Sequence, residues 1–399
     1  MLAIDTPAEP YCAPRRGVAA LTRMAYAGVD LVPLYASLTR RCRFEAMAAG
    51  DVMDLAMLSQ LLGDPAGGLR LQSRILGVQR LFRLSAGPMR PRMRLLALAA
   101  DLDIGSNTPI EFFVDGASID LVTLYLRDDD ALPAALPDHD AVMVIMPDDT
   151  HSRGILARLQ AGLADWPVPV LNRPDAITHL DRDRLCATLA GATGVLIPET
   201  RKFKRLDAPK DFAEFGGGPA VLRPAGSHAG RGLACVENAA QYKDYIAGAA
   251  DEELFVSPFV DYRSADGLFR KYRVVLIGGM PYPVHMALGP QWNLWYLNAG
   301  MESHAERRAE EQSFMDGFAT GFGKRQGKAI AEVARRIGLD YAGLDCAEMP
   351  DGRLLVFEAD NTLIVHDMDS PKLFPYKARH MRRLFTAFQQ MLLIAAGRG

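Results

Sequence analysis

Gly343-Leu344-Asp345-Cys346-Ala347 and, beyond the turn Pro350-Asp351-Gly352, Leu354-Leu355-Val356-Phe357-Glu358-Ala359-Asp360-Asn361 decide how this chain reads. Both runs are apolar and of strand length, and the Pro-Asp-Gly turn between them predicts a β-hairpin over Ala342–Met349 and Arg353–Glu358. Strand side chains alternate faces, so Glu358 and Asp360 point the same way, and the fold-back can bring Asp345 opposite them. Three carboxylates converging where apolar strands end form a hard-oxygen site, suited to Mg²⁺ shared with phosphates. A solvated strand end is the plainer alternative. Phe357-Glu358 argues against it, because it breaks an otherwise apolar run.

Upstream, Phe269–Ile277, Gly278-Gly279 and Pro281–Met286 read as a second hairpin. In its first strand Lys271 and Arg273 share one face, while Arg270 and Tyr272 share the other. Two cations aimed at one place suit a phosphate or carboxylate, although an exposed basic strand face reads equally well. Ala220–Arg223 and Leu233–Val236 bracket a loop containing Gly226, Ser227, Gly230 and Gly232. Such glycines let backbone N–H groups approach phosphate oxygens. The loop lacks the G-x-x-x-x-G-K-[ST] pattern and opens no helix, so alone it equally describes a plain hairpin loop. Helices over Lys324–Ile337 and Ala378–Ala396 flank these hairpins, and residues 191–399 form an α+β domain.

Before it lies an α/β pattern. Met93–Ala100, Ile119–Leu126, Ala141–Met146 and Pro167–Leu171 are candidate buried strands, His151–Leu163 is a helix, and Pro109 follows Thr108 as its expected N-cap. Strands alternating with helices predict a parallel sheet covered on both faces. The alternation ends near Asn172, and residues 93–190 are assigned to this domain. Residues 1–92 read as helical. Leu55, Leu58 and Leu62 precede a stop at Gly63 and a turn at Asp64-Pro65, and Leu71, Ile75, Val78 and Phe82 form the next stripe. With a further helix pair over 17–45, this looks like a degenerate tetratricopeptide-type unit. A helical cap on the next domain explains it as well.

Composition bounds the rest. The chain has 399 residues, 49% hydrophobic and 23% charged, with net charge −3. That length predicts two or three domains and the composition excludes disorder, while the charge balance argues against nucleic-acid binding. Five scattered cysteines without a C-x-x-C pair suit neither a disulfide framework nor a cysteine zinc site. They point to a reducing cytoplasm. No run approaches the roughly 20 apolar residues that span a bilayer. Residues 1–99 hold 13 arginines and no lysine against seven acidic residues, an excess of six positive charges. Interspersed as they are, these read as a solvated helix surface.

Taken in order from about residue 93 to 370, the motifs resemble the ATP-grasp superfamily of carboxylate–amine ligases. They are most similar to glutathione-synthetase-like members with tetratricopeptide-like N-termini. The resemblance implies a pre-ATP-grasp domain over 93–190 and a nucleotide-binding, catalytic ATP-grasp domain over 191–399. Asn172-Arg173-Pro174 with Asp183-Arg184 looks like the end of the former and the first phosphate-contact helix. Ile197-Pro198-Glu199-Thr200 is similar to the family's proline–threonine signature. Arg184, Arg223, Gly226, Ser227, Gly230, Gly232 and Lys271 would meet the ATP phosphates. Phe255 and Val256 would open the adenine hinge (Phe255–Phe259), and Asp261 would lie near the ribose. Arg273 would grip the acyl-phosphate or acceptor carboxylate, which makes Lys271 and Arg273 the catalytic pair. Asp345, Glu358 and Asp360 would bind Mg²⁺. His285, Trp292, Trp295 and Asn298 lie near where related enzymes hold substrate, although core packing is the plainer reading of His285 and the tryptophans.

Two departures stand out. Arg184 and Arg223 replace the lysines many members use, in a chain with 36 arginines and nine lysines. The usual Glu-x-Asn metal motif reads Glu358-Ala359-Asp360, with Asn361 one place later as an alternative ligand. The expected activity is an ATP- and Mg²⁺-dependent ligase that joins a carboxylate to an amine through an acyl-phosphate, on a small metabolite or short peptide. A nucleotide-binding scaffold without ligation and an ATP-grasp kinase are the other readings. Neither nucleic acid nor membrane is expected as a partner. A protein bound through the N-terminal helices and a second copy of the chain are both left open.

Overall fold

The computed structural model describes residues 10–44, 48–85, 90–116, 118–215, 218–227 and 230–399. Glu45 of the expected helix pair, Pro88 at the expected domain change and His228-Ala229 of the glycine loop lie outside the described residues.

Six strands build the first sheet: β1 Ala13–Arg15, β2 Leu81–Leu84, β3 Met93–Ala100, β4 Ile119–Leu126, β5 Ala141–Val144 and β6 Val170–Leu171. Their order is β1-β2-β4-β3-β5-β6, with β4, β3, β5 and β6 parallel. β4 and β5 are buried at every position, as expected for strands covered on both faces. The expected N-cap at Thr108 does not form. Its hydroxyl donates instead to the carbonyls of Ile145 (3.1 Å) and Asn361 (2.8 Å), and the helix begins at Ile110.

The N-terminal helices Val18–Tyr26, Val32–Phe44, Ala49–Leu61 and Pro65–Leu76 cover this sheet. Asp64 accepts from the Gly67 amide at 2.8 Å and Pro65 occupies the first turn, so the expected stop and restart at residues 63–65 are in place. Ala49–Leu61 is buried almost all round, from Val52 to Ser59. β1 and β2 carry this segment into the sheet through the antiparallel β2–β4 pair. A buried Arg15–Glu111 ion pair at 2.7 Å adds a cross-link. The segment caps and extends the α/β sheet, and the division expected at residue 92 falls inside that sheet.

A four-stranded antiparallel sheet, β10-β9-β11-β8, combines β8 Arg201–Lys204, β9 Ala220–Pro224, β10 Ala234–Val236 and β11 Glu253–Pro258. It has a small core of its own, formed by Phe212, Ala220, Leu222, Val236, Tyr242 and Val256. The third sheet runs β13-β12-β14-β15-β7, with β7 Val195–Leu196, β12 Phe269–Ile277, β13 Met280–Gly289, β14 Tyr341–Glu348 and β15 Leu354–Asp360. Gly278 (φ 55°) and Gly279 (φ 78°) make the tight β12–β13 turn, which needs two left-handed residues.

The first and third sheets share one continuous core. Phe113 of the α/β layer packs on Tyr341 (5.2 Å) and on Phe388 of helix Lys377–Ala395 (4.8 Å). Asn172, fully buried with φ 47°, closes the junction: its side chain donates to the Tyr341 carbonyl and accepts from the Tyr341 amide, each at 2.9 Å. Asparagine tolerates the left-handed region better than most residues. Among the described residues no helix is long and apolar enough to cross a membrane.

Candidate active site

Pairing in the third sheet sets four side chains in a line. His285 of β13 lies opposite Arg273 of β12, Arg273 opposite Asp345 of β14, and Asp345 opposite Glu358 of β15. Residues directly opposite in neighbouring strands share a face and stand about 5 Å apart, so these form one row across the sheet. Lys271, two residues before Arg273, joins the same face.

Asp345 is at the centre of the row. Arg273 donates to it through Nε (2.8 Å) and Nη2 (3.0 Å), and Lys271 reaches Oδ2 at 2.8 Å. Burial alone would raise this carboxyl's pKa, but Arg273 and Lys271 overcome that and hold it well below the usual range. Glu358 is ion-paired with Arg182, at the start of helix Arg182–Leu189. It too is pushed up by burial and brought lower by Arg182.

The four-stranded sheet contributes a second face. Lys202 of β8, Phe255 of β11 and Arg223 of β9 are in register, so they share one side, while Leu222 and Val256 point into the small core. Lys202 lies over the Phe255 ring at 5.6 Å and pairs with Glu253 at 2.9 Å. The Arg223 guanidinium is lowered to about 10, first by burial and then by repulsion from Arg182, with Glu358 acting against both. Arg223 donates to Ser227 and lies within electrostatic reach of Arg182 and Glu358.

Of Arg182 and Arg184, which flank Asp183, it is Arg182 that meets Glu358, not the expected phosphate contact Arg184. Arg184 donates to the Thr178 carbonyl (2.8 Å) and pairs with Asp148 (3.5 Å), away from Glu358. Positions two apart on a helix are about 200° apart, so only one of Arg182 and Arg184 can face the sheet. Lys202 was also missed; its signal was strand parity within Arg201-Lys202-Phe203-Lys204.

The other expected residues are placed as follows. Ser227 is buried and accepts from Arg223 at 3.2 Å, which ties the loop to the cation; Gly226, Gly230 and Gly232 are all left-handed. Asp261 pairs with Arg263 and lines an open groove of about 530 Å³ with Phe259, Phe269 and Trp292. Val256 is buried in the small core, so only its backbone is left for a ligand. His285 packs on Tyr296 at 4.4 Å with the ring planes tilted by 31°, and its pKa is pushed well down by burial and by Arg273 and Lys377. Trp292 and Trp295 are half-buried on the loop after β13, and Asn298 bonds within that loop.

The expected three-carboxylate cradle is not gathered. Among the described residues no three His, Cys, Asp or Glu side chains come close enough to hold a metal ion. Asp345 and Glu358 face each other, but Asp360 accepts from the amide (2.8 Å) and hydroxyl (3.0 Å) of Thr362. Asn361 is fully buried on the opposite strand face and donates to the Met146 carbonyl at 2.9 Å. Its Oδ1 is buried without a partner among the described residues. A pair of carboxylates nevertheless fits Mg²⁺, which commonly takes one or two from protein and the remainder from phosphate and water. Lys271 and Arg273 pair with Asp345 and Arg182 with Glu358, and Arg223 lies within electrostatic reach of Glu358, so cations outnumber the two anions. Such an excess of positive charge suits a ligand with several negative charges.

No protein-family model matches the chain, and no curated protein does. Solved structures do resemble it. A RimK domain protein ATP-grasp from Sphaerobacter thermophilus is 19% identical, with 76% of this chain and 98% of that one covered at a TM-score of 0.45. D-alanine–D-alanine ligase from Bacillus anthracis, complexed with ATP, is 13% identical over 77% and 99% of the two chains, TM-score 0.46. VanG D-Ala:D-Ser ligase from Enterococcus faecalis is 14% identical over 77% and 99%, TM-score 0.46.

Proposed function

We propose that this chain is an ATP-dependent carboxylate–amine ligase of the ATP-grasp type. One observation carries the reading: Lys271 and Arg273 pair with Asp345, Arg182 pairs with the facing Glu358, and Arg223 lies within electrostatic reach of Arg182 and Glu358. The order of motifs along the chain supports it.

In this reading the adenine lies along Phe255–Phe259, with Asp261 toward the ribose. The loop carrying Gly226, Ser227, Gly230 and Gly232 covers the phosphates. Arg182, Arg223, Lys202 and Lys271 hold them, and Arg273 holds the carboxylate to be activated. Asp345 and Glu358 would bind Mg²⁺, which supplies charge neutralisation on the phosphates; Asp360 would have to leave Thr362 to join them.

A carboxylate becomes an electrophile once one of its oxygens is part of a leaving group. Transfer of the γ-phosphoryl group to that oxygen gives an acyl-phosphate and ADP. The amine then adds to the carbonyl carbon, phosphate leaves with the C–O bond electrons, and the nitrogen loses a proton. Fixed cations stabilise the charge that spreads over the transferring phosphoryl oxygens, so this chain's main tasks are binding and orientation. The substrate class is a small metabolite or a short peptide.

The test incubates purified chain and ATP with amino acids, dipeptides and hydroxy acids, and reads ADP, phosphate and condensation product by mass. ADP, phosphate and an amide product in equal amounts are expected. A phosphorylated product that persists in the presence of amines would replace ligase by kinase. Nucleotide binding without any ADP release would leave a scaffold.

A further inference from the structure

Several polar side chains of the N-terminal segment are engaged with the connection that follows β3. Arg15, 2% exposed, pairs with Glu111 at 2.7 Å, and Glu111 also accepts from the Ala19 amide at 3.0 Å. Gln60 accepts from the Ile104 amide at 3.1 Å, and Gln72 donates to Asp101 and to the Leu102 carbonyl, each at 2.7 Å. Arg23 bridges Asp115 and Asp367 and lies 5.1 Å from the Phe112 ring centre. Apart from Asp367, the partners these side chains reach lie within residues 101–115, past the carboxyl end of a parallel strand. Open α/β sheets place their ligands at such strand ends.

Asp367 belongs to residues 361–369, the irregular connection that leaves β15 after Asp360. This connection touches the charged row: the Ile364 carbonyl accepts from Arg273 Nη1 at 3.1 Å, while Nε and Nη2 of the same guanidinium go to Asp345. Its start is fixed by Thr108, whose hydroxyl donates to the Asn361 carbonyl at 2.8 Å, and its end by Lys377, which pairs with Asp369 at 3.2 Å. Between these points it is held by Arg23, which meets Asp367 at 2.9 Å, and by Tyr26, whose ring is 5.9 Å from that of His366. Both residues come from the helix Val18–Tyr26.

We infer that helix Val18–Tyr26 is a positioning element of the site: Arg23, by holding Asp367, keeps the Ile364 carbonyl against Arg273 and so sets the direction of that guanidinium. A guanidinium is a planar fork of five N–H donors, and what it can grip depends on where the fork points. Asp345 takes one donor from Nε and one from Nη2, and the Ile364 carbonyl takes one from Nη1. One N–H is left on each terminal nitrogen, a pair suited to a bidentate acceptor. Arg23 touches no reacting group and acts through Arg273. That Arg273 grips a carboxylate rests on the ligase reading; that Arg23 sets its direction does not.

Partly exposed ion pairs add little to global stability, so Arg23→Met in the full chain should melt like the parent and act locally. Two readouts need no substrate. Amide hydrogen exchange over residues 362–369, followed by mass, should speed up about threefold or more in Arg23→Met, and less in Arg23→Lys, which keeps a cation beside Asp367. Phenylglyoxal, which adds to guanidinium nitrogens that are free to react, should modify Arg273 about threefold faster, read on its own proteolytic peptide. Arg336, held by the Thr188 and Ala190 carbonyls, is the control whose labelling stays the same. With an amino acid or dipeptide that releases ADP in the parent, Arg23→Met should raise KM for that carboxylate about threefold or more and leave KM for ATP unchanged. Unchanged exchange together with unchanged Arg273 labelling overturns the inference and leaves the ligase reading intact. Faster exchange throughout the chain with a lowered melting temperature also overturns it, because Arg23 would then serve the fold as a whole. A parent chain that releases no ADP removes the ligase reading, while exchange and labelling still decide whether Arg23 positions Arg273.

Discussion

Replacing Asp345 with Asn tests the charged row at its centre. The substitution keeps shape and one acceptor oxygen but removes the charge that three donors converge on, at 2.8, 3.0 and 2.8 Å. Asp345 is only 4% exposed, while the Lys271 and Arg273 side chains are 22% and 18% exposed. At an effective dielectric of about 20, one unit-charge pair at about 4 Å is worth about 4 kcal/mol. Partial solvation of the two cations discounts that figure, and stranding buried cations by removing their partner typically costs about 3–5 kcal/mol. We expect Asp345→Asn to lose about 3 kcal/mol in urea denaturation followed by circular dichroism. Adding Lys271→Met should recover about 1 kcal/mol or more, because the stranded charge is then removed as well. Freed of their carboxylate, the cations of the single variant should also bind tripolyphosphate, without Mg²⁺, about tenfold more tightly, a gain of about 1.4 kcal/mol. A single variant within about 0.5 kcal/mol of the parent, or a double variant less stable than the single, refutes the reasoning.

Arg182→Ala should weaken ATP binding at least tenfold in calorimetry, whereas Arg184→Ala should stay within about twofold, since Arg184 serves Thr178 and Asp148; equal effects would return the two arginines to parity. Deleting residues 1–90 removes β1 and β2 and uncovers the sheet they extend, so the shortened chain should aggregate; a monomer melting like the parent would show the segment to be separable. Asn172→Ala, which combines a left-handed strain with the loss of both Tyr341 bonds, should cost about 2–4 kcal/mol, and Asn172→Gly less, with urea midpoints as the check. Because the carboxyls of Asp345 and Glu358 are lowered in the folded chain, their contribution is complete above the unfolded value near about 4 and is lost as pH falls through the folded values. Asp345→Asn should therefore flatten the acid limb of a stability–pH curve, and an unaltered limb would contradict that.

Much of this protein was legible without coordinates. Met93–Ala100 and Ile119–Leu126 are strands at the residues their apolar runs delimit, and both C-terminal hairpins turn at Gly278-Gly279 and Pro350–Gly352. These features are local: side-chain alternation, turn residues and apolar runs act within a few residues of chain. The face shared by Lys271 and Arg273 followed from strand parity alone. The pairing of Glu358 with Asp345 followed from the turn that joins their strands.

Tertiary structure decided what local rules could not reach. Which of Arg182 and Arg184 meets Glu358 depends on how helix Arg182–Leu189 rolls against β15, and an alternating Asp-Arg-Asp-Arg sequence leaves both rotations open. Lys202 gained its place from the pairing of β8 with β11, between strands some 50 residues apart in sequence. Asp360 was drawn to Thr362 and Asn361 to Met146, so two carboxylates rather than three came to face each other. Residues 1–92 read as a helical unit in their own right because helix periodicity is written locally. Their described part joins the α/β sheet through β1 and β2, short strands held by pairing and packing with residues distant in the chain. Periodicity and turns specify elements because their energies are contained within the element. Rotation, pairing partner and the assignment of each charge to its counter-charge are settled by contacts between residues far apart in the chain, where only packing discriminates among arrangements.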